Sequence, residues 1–168
     1  AVMNHTWQDD QKPQSSLFIT QHRLHEVKVR SQTRILVADD HRVNQQLAVL
    51  MLERLGFRAD IVANGNEAVE AVSRVPYSLV FMDCQMPEMD GYQATREIRN
   101  RAVSGKIPDS KDNNGRTLRL PIIAMTANAM QGDREKCLEA GMDDYLSKPI
   151  KSDQLQLILS KWLSSQEP

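Results

Sequence analysis

The chain is predicted to fold as a doubly wound α/β domain, on two observations. Five short apolar runs alternate with five segments of helical period, an order that buries a parallel sheet beneath right-handed crossovers on both faces. Two of those runs stop directly on acids, at Asp39–Asp40 and at Asp83. In an open parallel sheet the carboxyl ends of the strands are where loops diverge and ligands bind.

Each element follows from local pattern. Ile35, Leu36, Val37 and Ala38 form the first run. Val43, Leu47, Leu50, Met51 and Leu55 then recur at helical spacing up to Gly56, which predicts a helix with that stripe buried. Ala59–Ala63 reads as a short strand and Asn64–Gly65 as a turn. Ala68, Val69 and Val72 mark a second helix that stops before Pro76. Leu79, Val80, Phe81 and Met82 lead into Asp83, with Pro87 and Gly91 close behind, as in a buried strand that runs out into a loop. Tyr92, Ala94, Thr95 and Ile98 belong to a third helix. Residues 100–120 hold Gly105, Pro108 and Gly115 and read as a long loop, above the roughly 12–15 residues usual for a structureless connection. It is either a mobile insertion or a lengthened helix end. Pro121–Met125 is the next strand, ending in Thr126, followed by a helix over Asp133–Ala140 closed by Gly141. Tyr145–Ser147 is the last strand, and Leu155, Ile158, Leu159, Trp162 and Leu163 form the stripe of a terminal helix. Residues 1–32 are polar with one apolar triplet, Leu17-Phe18-Ile19, and are expected to be a linker before a domain over residues 33–166.

The totals bound the function. Among 168 residues, 21 basic and 22 acidic side chains are interspersed, which gives no electrostatic footprint for nucleic acid or acidic lipid. No apolar run is long enough to span a bilayer, so no membrane contact and a cytoplasmic setting are expected for this segment. The two cysteines, Cys84 and Cys137, match no metal-ligand spacing and read as ordinary thiols within regular structure. No Gly-rich phosphate loop follows the first strand, which argues against nucleotide binding by that route.

The strand ends carry the chemistry. In order they are Asp39 and Asp40, Asp83, Thr126 and Lys148, and a doubly wound sheet would gather them at one edge. Carboxylates crowded together repel, and a divalent cation commonly relieves them. Mg²⁺ fits an oxygen donor set completed by water and phosphate. Thr126 would supply a hydroxyl and Lys148 an ammonium, both suited to a phosphoryl group, and Asp83 can be an in-line nucleophile. Each residue also has a plainer reading: Asp83 as a turn residue, Asp40 and Thr126 as helix caps, Lys148 as a solvated turn residue.

The motifs Asp39-Asp40, Met82-Asp83, Met86-Pro87, Met89-Asp90-Gly91, Thr126-Ala127 and Lys148-Pro149 resemble those of the receiver domains of two-component response regulators. The wording around Met125–Met130 and Ala140–Pro149 looks most like receivers fused to hybrid sensor histidine kinases. That resemblance implies a flavodoxin-like, CheY-like sheet of order 2-1-3-4-5. It also implies a phosphoryl group taken from a phosphohistidine, on a kinase core that could lie in the same chain, and handed to a histidine phosphotransfer protein. Carried over, Asp83 is the phosphoacceptor. Asp39, Asp40, Asp83 and the Gln85 carbonyl hold Mg²⁺, Thr126 and Lys148 contact the phosphoryl group, Thr126 and Tyr145 report the switch, and Pro149 follows a cis bond. Gln85 and Asn128 occupy the positions that tune phosphate lifetime in the family. Two other functions compete. A phosphate-independent interaction domain would keep the fold without the chemistry. An aspartyl-phosphate phosphatase would want an acid two residues past its nucleophile, where this chain has Gln85.

Overall fold

The computed structural model of the protein describes residues 33–108, 110–111, 116–128 and 130–163. The expected linker over residues 1–32, with Leu17-Phe18-Ile19, lies outside them. Along the chain run β1 (Arg34–Ala38), α1 (Arg42–Arg54), β2 (Arg58–Val62), α2 (Gly65–Arg74), β3 (Leu79–Asp83) and α3 (Gly91–Val103). There follow β4 (Ser110–Lys111), β5 (Thr117–Leu118), β6 (Ile122–Thr126), α4 (Gln131–Ala140), β7 (Asp144–Ser147) and α5 (Ser152–Leu163). The main sheet has five strands, all neighbours parallel, in the order β2-β1-β3-β6-β7. With the small β4–β5 pair set aside, this is the expected 2-1-3-4-5 arrangement.

Side chains alternate across each strand and so feed two cores. Leu36, Ala38, Val80, Met82, Ile122 and Ala124 face α2, α3 and α4, packing with Ala68, Val69, Val72, Ala94, Ile98 and Cys137. Ile35, Val37, Leu79, Phe81, Ile123 and Met125 face α1 and α5, packing with Ala48, Leu52, Leu155, Ile158 and Leu159. Helices on both faces explain why β3 and β6 are buried at every position and read as unbroken apolar runs.

Four local expectations change. The buried face of α1 consists of Ala48 and Leu52 with Met51 and Leu55 partly buried, whereas Val43, Leu47 and Leu50 are 76%, 38% and 48% exposed. At 100° per residue the apolar residues of α1, Val49 included, cover an arc of roughly 260°. That is wider than one buried stripe, and the periodicity could not tell which side meets the sheet. Asn64 is the N-cap of α2, its side chain accepting from Glu67 N, and Gly65 is already helical, so that pair starts a helix rather than forming a free turn. The stretch read as a loop from Asn100 begins as the lengthened helix end that is one of its two alternatives: it is helical through Val103, because nothing before Gly105 interrupts α3. It then carries the antiparallel β4–β5 pair, Ser110 opposite Leu118. Cys84 stands one residue past the end of β3 rather than within it, while Cys137 lies on α4. Both thiols are buried and free, with sulfurs 3.9 Å apart. Burial pushes the Cys84 thiol up to about 12 and raises Cys137 as well, so neither is a ready thiolate.

The start of α3 presses on the end of β3. Gly91 N donates to Cys84 O, and a Cβ at Gly91 would lie 2.1 Å from the Asp83 carbonyl oxygen. Only glycine permits that approach, which fixes the loop after Asp83 against the strand.

The two faces of α1 make an energetic distinction. Leu52→Ala is expected to cost about 2–5 kcal/mol in chemical denaturation, while Val43→Ala stays within roughly 0.5 kcal/mol of wild type, as exposed substitutions do.

Candidate functional site

The parallel sheet brings the ends of β1, β3, β6 and β7 to one edge, with β3 between β1 and β6. Asp39 and Asp40 follow β1, Asp83 ends β3, Thr126 ends β6 and Lys148 follows β7. The structure brings all five to that edge. Lys148 Nζ lies 2.8 Å from Asp83 Oδ2 and 3.0 Å from Asp39 Oδ2, so one ammonium bridges acids from two strands. Asp39 and Asp83 are 1% and 4% exposed, whereas Asp40 is exposed at the mouth.

The plainer readings of Asp40, Thr126 and Lys148 do not describe the structure, whereas Asp83 does accept from a backbone N–H two residues on, as a turn residue would, in addition to its contact with Lys148. The N-cap of α1 is His41, not Asp40, and that of α4 is Met130, not Thr126. Lys148 is held in the acidic cluster rather than solvated alone. The Thr126 hydroxyl donates to Asn128 O at 3.0 Å and accepts from Asn128 N at 3.1 Å, so it is occupied by its own loop. Gln85 is exposed and its backbone N donates to Asp83 Oδ1 at 3.2 Å. Tyr145, on the edge strand β7, is partly buried with the Arg134 guanidinium 5.7 Å from its ring centroid. The Lys148–Pro149 bond is cis.

Three residues join the site that the strand-end reasoning overlooked. His41 N donates to Asp39 Oδ1 at 2.8 Å, and His41 Nδ1 lies 2.9 Å from Asp40 Oδ1. Asn44 Nδ2 lies 3.3 Å from Asp39 Oδ2, and the Gln45 side-chain amide donates to Asp39 O. Their signal in the sequence was their place in the first turn of the helix that the acidic pair leads into.

The site is short of positive charge. Burial raises the pKa of Asp83, and the hydrogen bond and charge of Lys148 only partly offset it. Lys148 is itself desolvated, but its contacts with Asp83 and then Asp39 outweigh that and raise its pKa, which keeps it an ammonium. Three carboxylates therefore share one firm cation. One donor atom each from Asp39, Asp40, His41 and Asp83 lies within 4.8 Å of the others. This oxygen-rich set fits a hard divalent cation, with Asp39, Asp40 and Asp83 as the residues that would hold it. Such an ion would supply the missing charge beside Asp83 and a Lewis acid for phosphoryl oxygens.

Residues 35–160 match the family described as "Response regulator receiver domain". The chain belongs to that family. Its curated relatives include the hybrid signal transduction protein dokA of Dictyostelium discoideum, 41% identical over 133 residues. That match covers 79% of this chain but only 7% of the relative, so this receiver domain spans a small part of such proteins. Among solved structures, the receiver domain of sensor histidine kinase PA1611 from Pseudomonas aeruginosa PAO1 is 49% identical with a TM-score of 0.64. It covers 79% of this chain and 98% of that one, and has magnesium coordinated in its active-site cleft. The receiver domain of Saccharomyces cerevisiae Ssk1, in complex with the histidine phosphotransfer protein Ypd1, gives a TM-score of 0.70 at 27% identity, covering 80% and 92% of the two chains. Among the described residues, no helix is long and apolar enough to cross a membrane.

The charge imbalance has a measurable sign. Asp83 holds its proton more tightly folded than unfolded, so the metal-free wild type loses stability as pH rises from the ordinary aspartate value through the raised one. Asp83→Asn is expected to remove that slope and to melt higher than the metal-free wild type at neutral pH. A divalent cation at a hundred times its dissociation constant should add about 2.7 kcal/mol to the wild type. Thermal melts should find that gain largely lost in Asp83→Asn.

Proposed function

We propose that this receiver domain is a phosphoacceptor in a phosphorelay, with Asp83 as the acceptor and Mg²⁺ as its cation. The observation that carries the reading is Lys148 Nζ bridging Asp39 and Asp83 beside the exposed Asp40. One Asp83 carboxylate oxygen bonds to phosphorus as the P–N bond of a phosphohistidine breaks, and the bond electrons leave with the imidazole. Lys148 then neutralises phosphoryl charge, and Asp39, Asp40, Asp83 and the Gln85 carbonyl hold the cation. The Thr126 hydroxyl must give up Asn128 O to reach a phosphoryl oxygen. That exchange moves the β6–α4 loop, with Tyr145 on the neighbouring strand as the aromatic reporter. Gln85 and Asn128, both exposed beside the site, are positioned to influence water attack on the acyl phosphate.

The hybrid signalling proteins among the relatives support a parent hybrid histidine kinase; within it we propose residues 1–32 as a linker, the domain over 33–166, and a cytoplasmic setting for this segment. A histidine phosphotransfer protein is the proposed onward partner. Val43, Leu47 and Leu50 give α1 an exposed apolar stripe on the helix that leaves the acidic pair, a surface suited to the apolar face of a histidine-bearing helix.

Incubation with Mg²⁺ and acetyl phosphate or phosphoramidate should add one phosphoryl mass to the wild type and none to Asp83→Asn, read by intact mass spectrometry. An unlabelled wild type would leave the phosphate-independent docking domain as the better reading. A second measurement separates docking from chemistry. Val43→Asp with Leu47→Asp should leave labelling by the small donor intact. It should slow transfer from a phosphorylated histidine phosphotransfer protein by roughly tenfold or more, as loss of two interface anchors does.

A further inference from the structure

The stretch between α3 and β6 walls a cleft that the chemistry at Asp83 leaves unused. We propose that this cleft binds a flat, mostly apolar small molecule carrying one acidic group. It lies at the far edge of the sheet, so the inference does not rest on the phosphoacceptor reading given above.

The place and shape of the cleft come first. It encloses about 590 Å³, inside the roughly 300–1,000 Å³ of small-molecule sites. Tyr77 and Leu120 line it, each two residues before the start of β3 or β6. That puts it at the amino ends of the strands, opposite the edge that holds Asp39, Asp83 and Lys148. Its floor is core, with Val72, Tyr77 and Ile98 only 1%, 5% and 1% exposed. Leu118 of β5 forms part of the outer wall, and Val103 at the end of α3 stands on the rim 92% exposed. A buried apolar floor that continues into apolar side chains left in water is a surface that a hydrophobic ligand would cover.

The polar groups select the class of ligand. Arg99 is fixed by three contacts: Nε donates to Gly141 O at 3.0 Å, one terminal nitrogen to Leu120 O at 2.7 Å, and the other to Asp143 Oδ2 at 2.7 Å. This side of the cleft is therefore preformed, which lowers the ordering cost of binding. Arg119 shares the same carboxylate, 3.2 Å from Asp143 Oδ1, yet its side chain is 61% exposed. Arg96 of α3 also lines the cleft, is exposed, and among the described residues makes no hydrogen bond or ion pair. Three guanidiniums thus meet two carboxylates, Asp143 and the lining Glu139, an excess of one positive charge. Burial lowers the Arg99 pKa, Asp143 draws it back, and the neighbouring Arg119 lowers it again, as expected where two guanidiniums divide one acid. Guanidiniums pair with planar acids and stack on flat rings. One acidic group on a flat apolar body answers both the floor and the rim.

Anilinonaphthalene sulfonate is the probe, and phenylnaphthylamine, the same ring system without the sulfonate, is its control. Fluorescence titration of the 168-residue chain should find one saturable site, with the near-ultraviolet circular dichroism of the folded protein unchanged and the sulfonate held about tenfold tighter than the amine. Arg96→Gln with Arg119→Gln should erase that preference by weakening the sulfonate about tenfold, the worth of two partly exposed ion pairs, while the amine stays within about twofold. Leu118→Trp, which fills the cleft, should weaken both dyes by about tenfold or more. Val103→Asp sits too far in solvent to disturb folding; it should weaken the sulfonate alone, and it keeps the test open if the tryptophan variant does not fold. Saturable binding absent from wild type would overturn the proposal. So would binding unchanged in a folded Leu118→Trp, or binding lost in Val43→Asp with Leu47→Asp, which would place the dye on α1. Equal affinity for the two dyes, or a preference that survives the double Gln variant, would overturn the assignment of an acidic ligand. None of these outcomes touches labelling of Asp83, so the two readings fail separately.

Discussion

One ammonium held between two buried acids is the constraint on which this domain's site depends. Lys148 reaches Asp39 and Asp83 from a third strand tip, so its position requires the β1, β3, β6 and β7 ends to stay in register. Each buried acid would be costly alone, and both are tolerable because Lys148 and backbone donors share them. The balance is incomplete. Burial still raises Asp83 above the ordinary carboxylate range, and that residual deficit is what a cation and then a phosphoryl group can exploit. A fully neutralised cluster would fold more comfortably and have less affinity for either.

The scaffold serves this arrangement by rigidity at one edge. β3 is sandwiched between two cores and carries Asp83 at its end. Gly91 then brings α3 within contact of that end, and Gln85 N caps the carboxylate. On the other side of the site the restraint is softer: among the described residues the Thr126 hydroxyl is engaged by Asn128, two residues on. A fixed acceptor beside an exchangeable hydroxyl is the physical basis for a switch, because a phosphoryl oxygen can replace the Asn128 carbonyl without disturbing β3.

Helix α1 illustrates how one element answers to two demands. Ala48 and Leu52 close the core against the sheet, while Val43, Leu47 and Leu50 remain in water. Exposed apolar side chains in a row lower solubility, and a partner helix that covers them offsets that cost. The same helix starts at His41, so its N-terminal turn contributes to the site and its flank to the surface around it.

The order of elements and the types of the site residues were legible in the chain alone. Continuous apolar runs ending in Asp39, Asp83 and Thr126 dictated buried parallel strands, and parallel topology dictated that their ends converge. Gly56 and Gly141 marked helix ends because both adopt positive φ, at 88° and 99°. What the chain left open was everything set by contact between elements. The apolar arc of α1 is too wide for periodicity to choose its buried side, and only packing on the sheet selected Ala48 and Leu52. The extension of α3 to Val103 and the β4–β5 pair lay within a polar stretch with no apolar period to read. His41, Asn44 and Gln45 carry no motif, and they belong to the site because the first turn of α1 folds back over Asp39. Composition and spacing fix which groups are available; distances between them exist only once the strands are aligned, and here those distances decide what the acids hold.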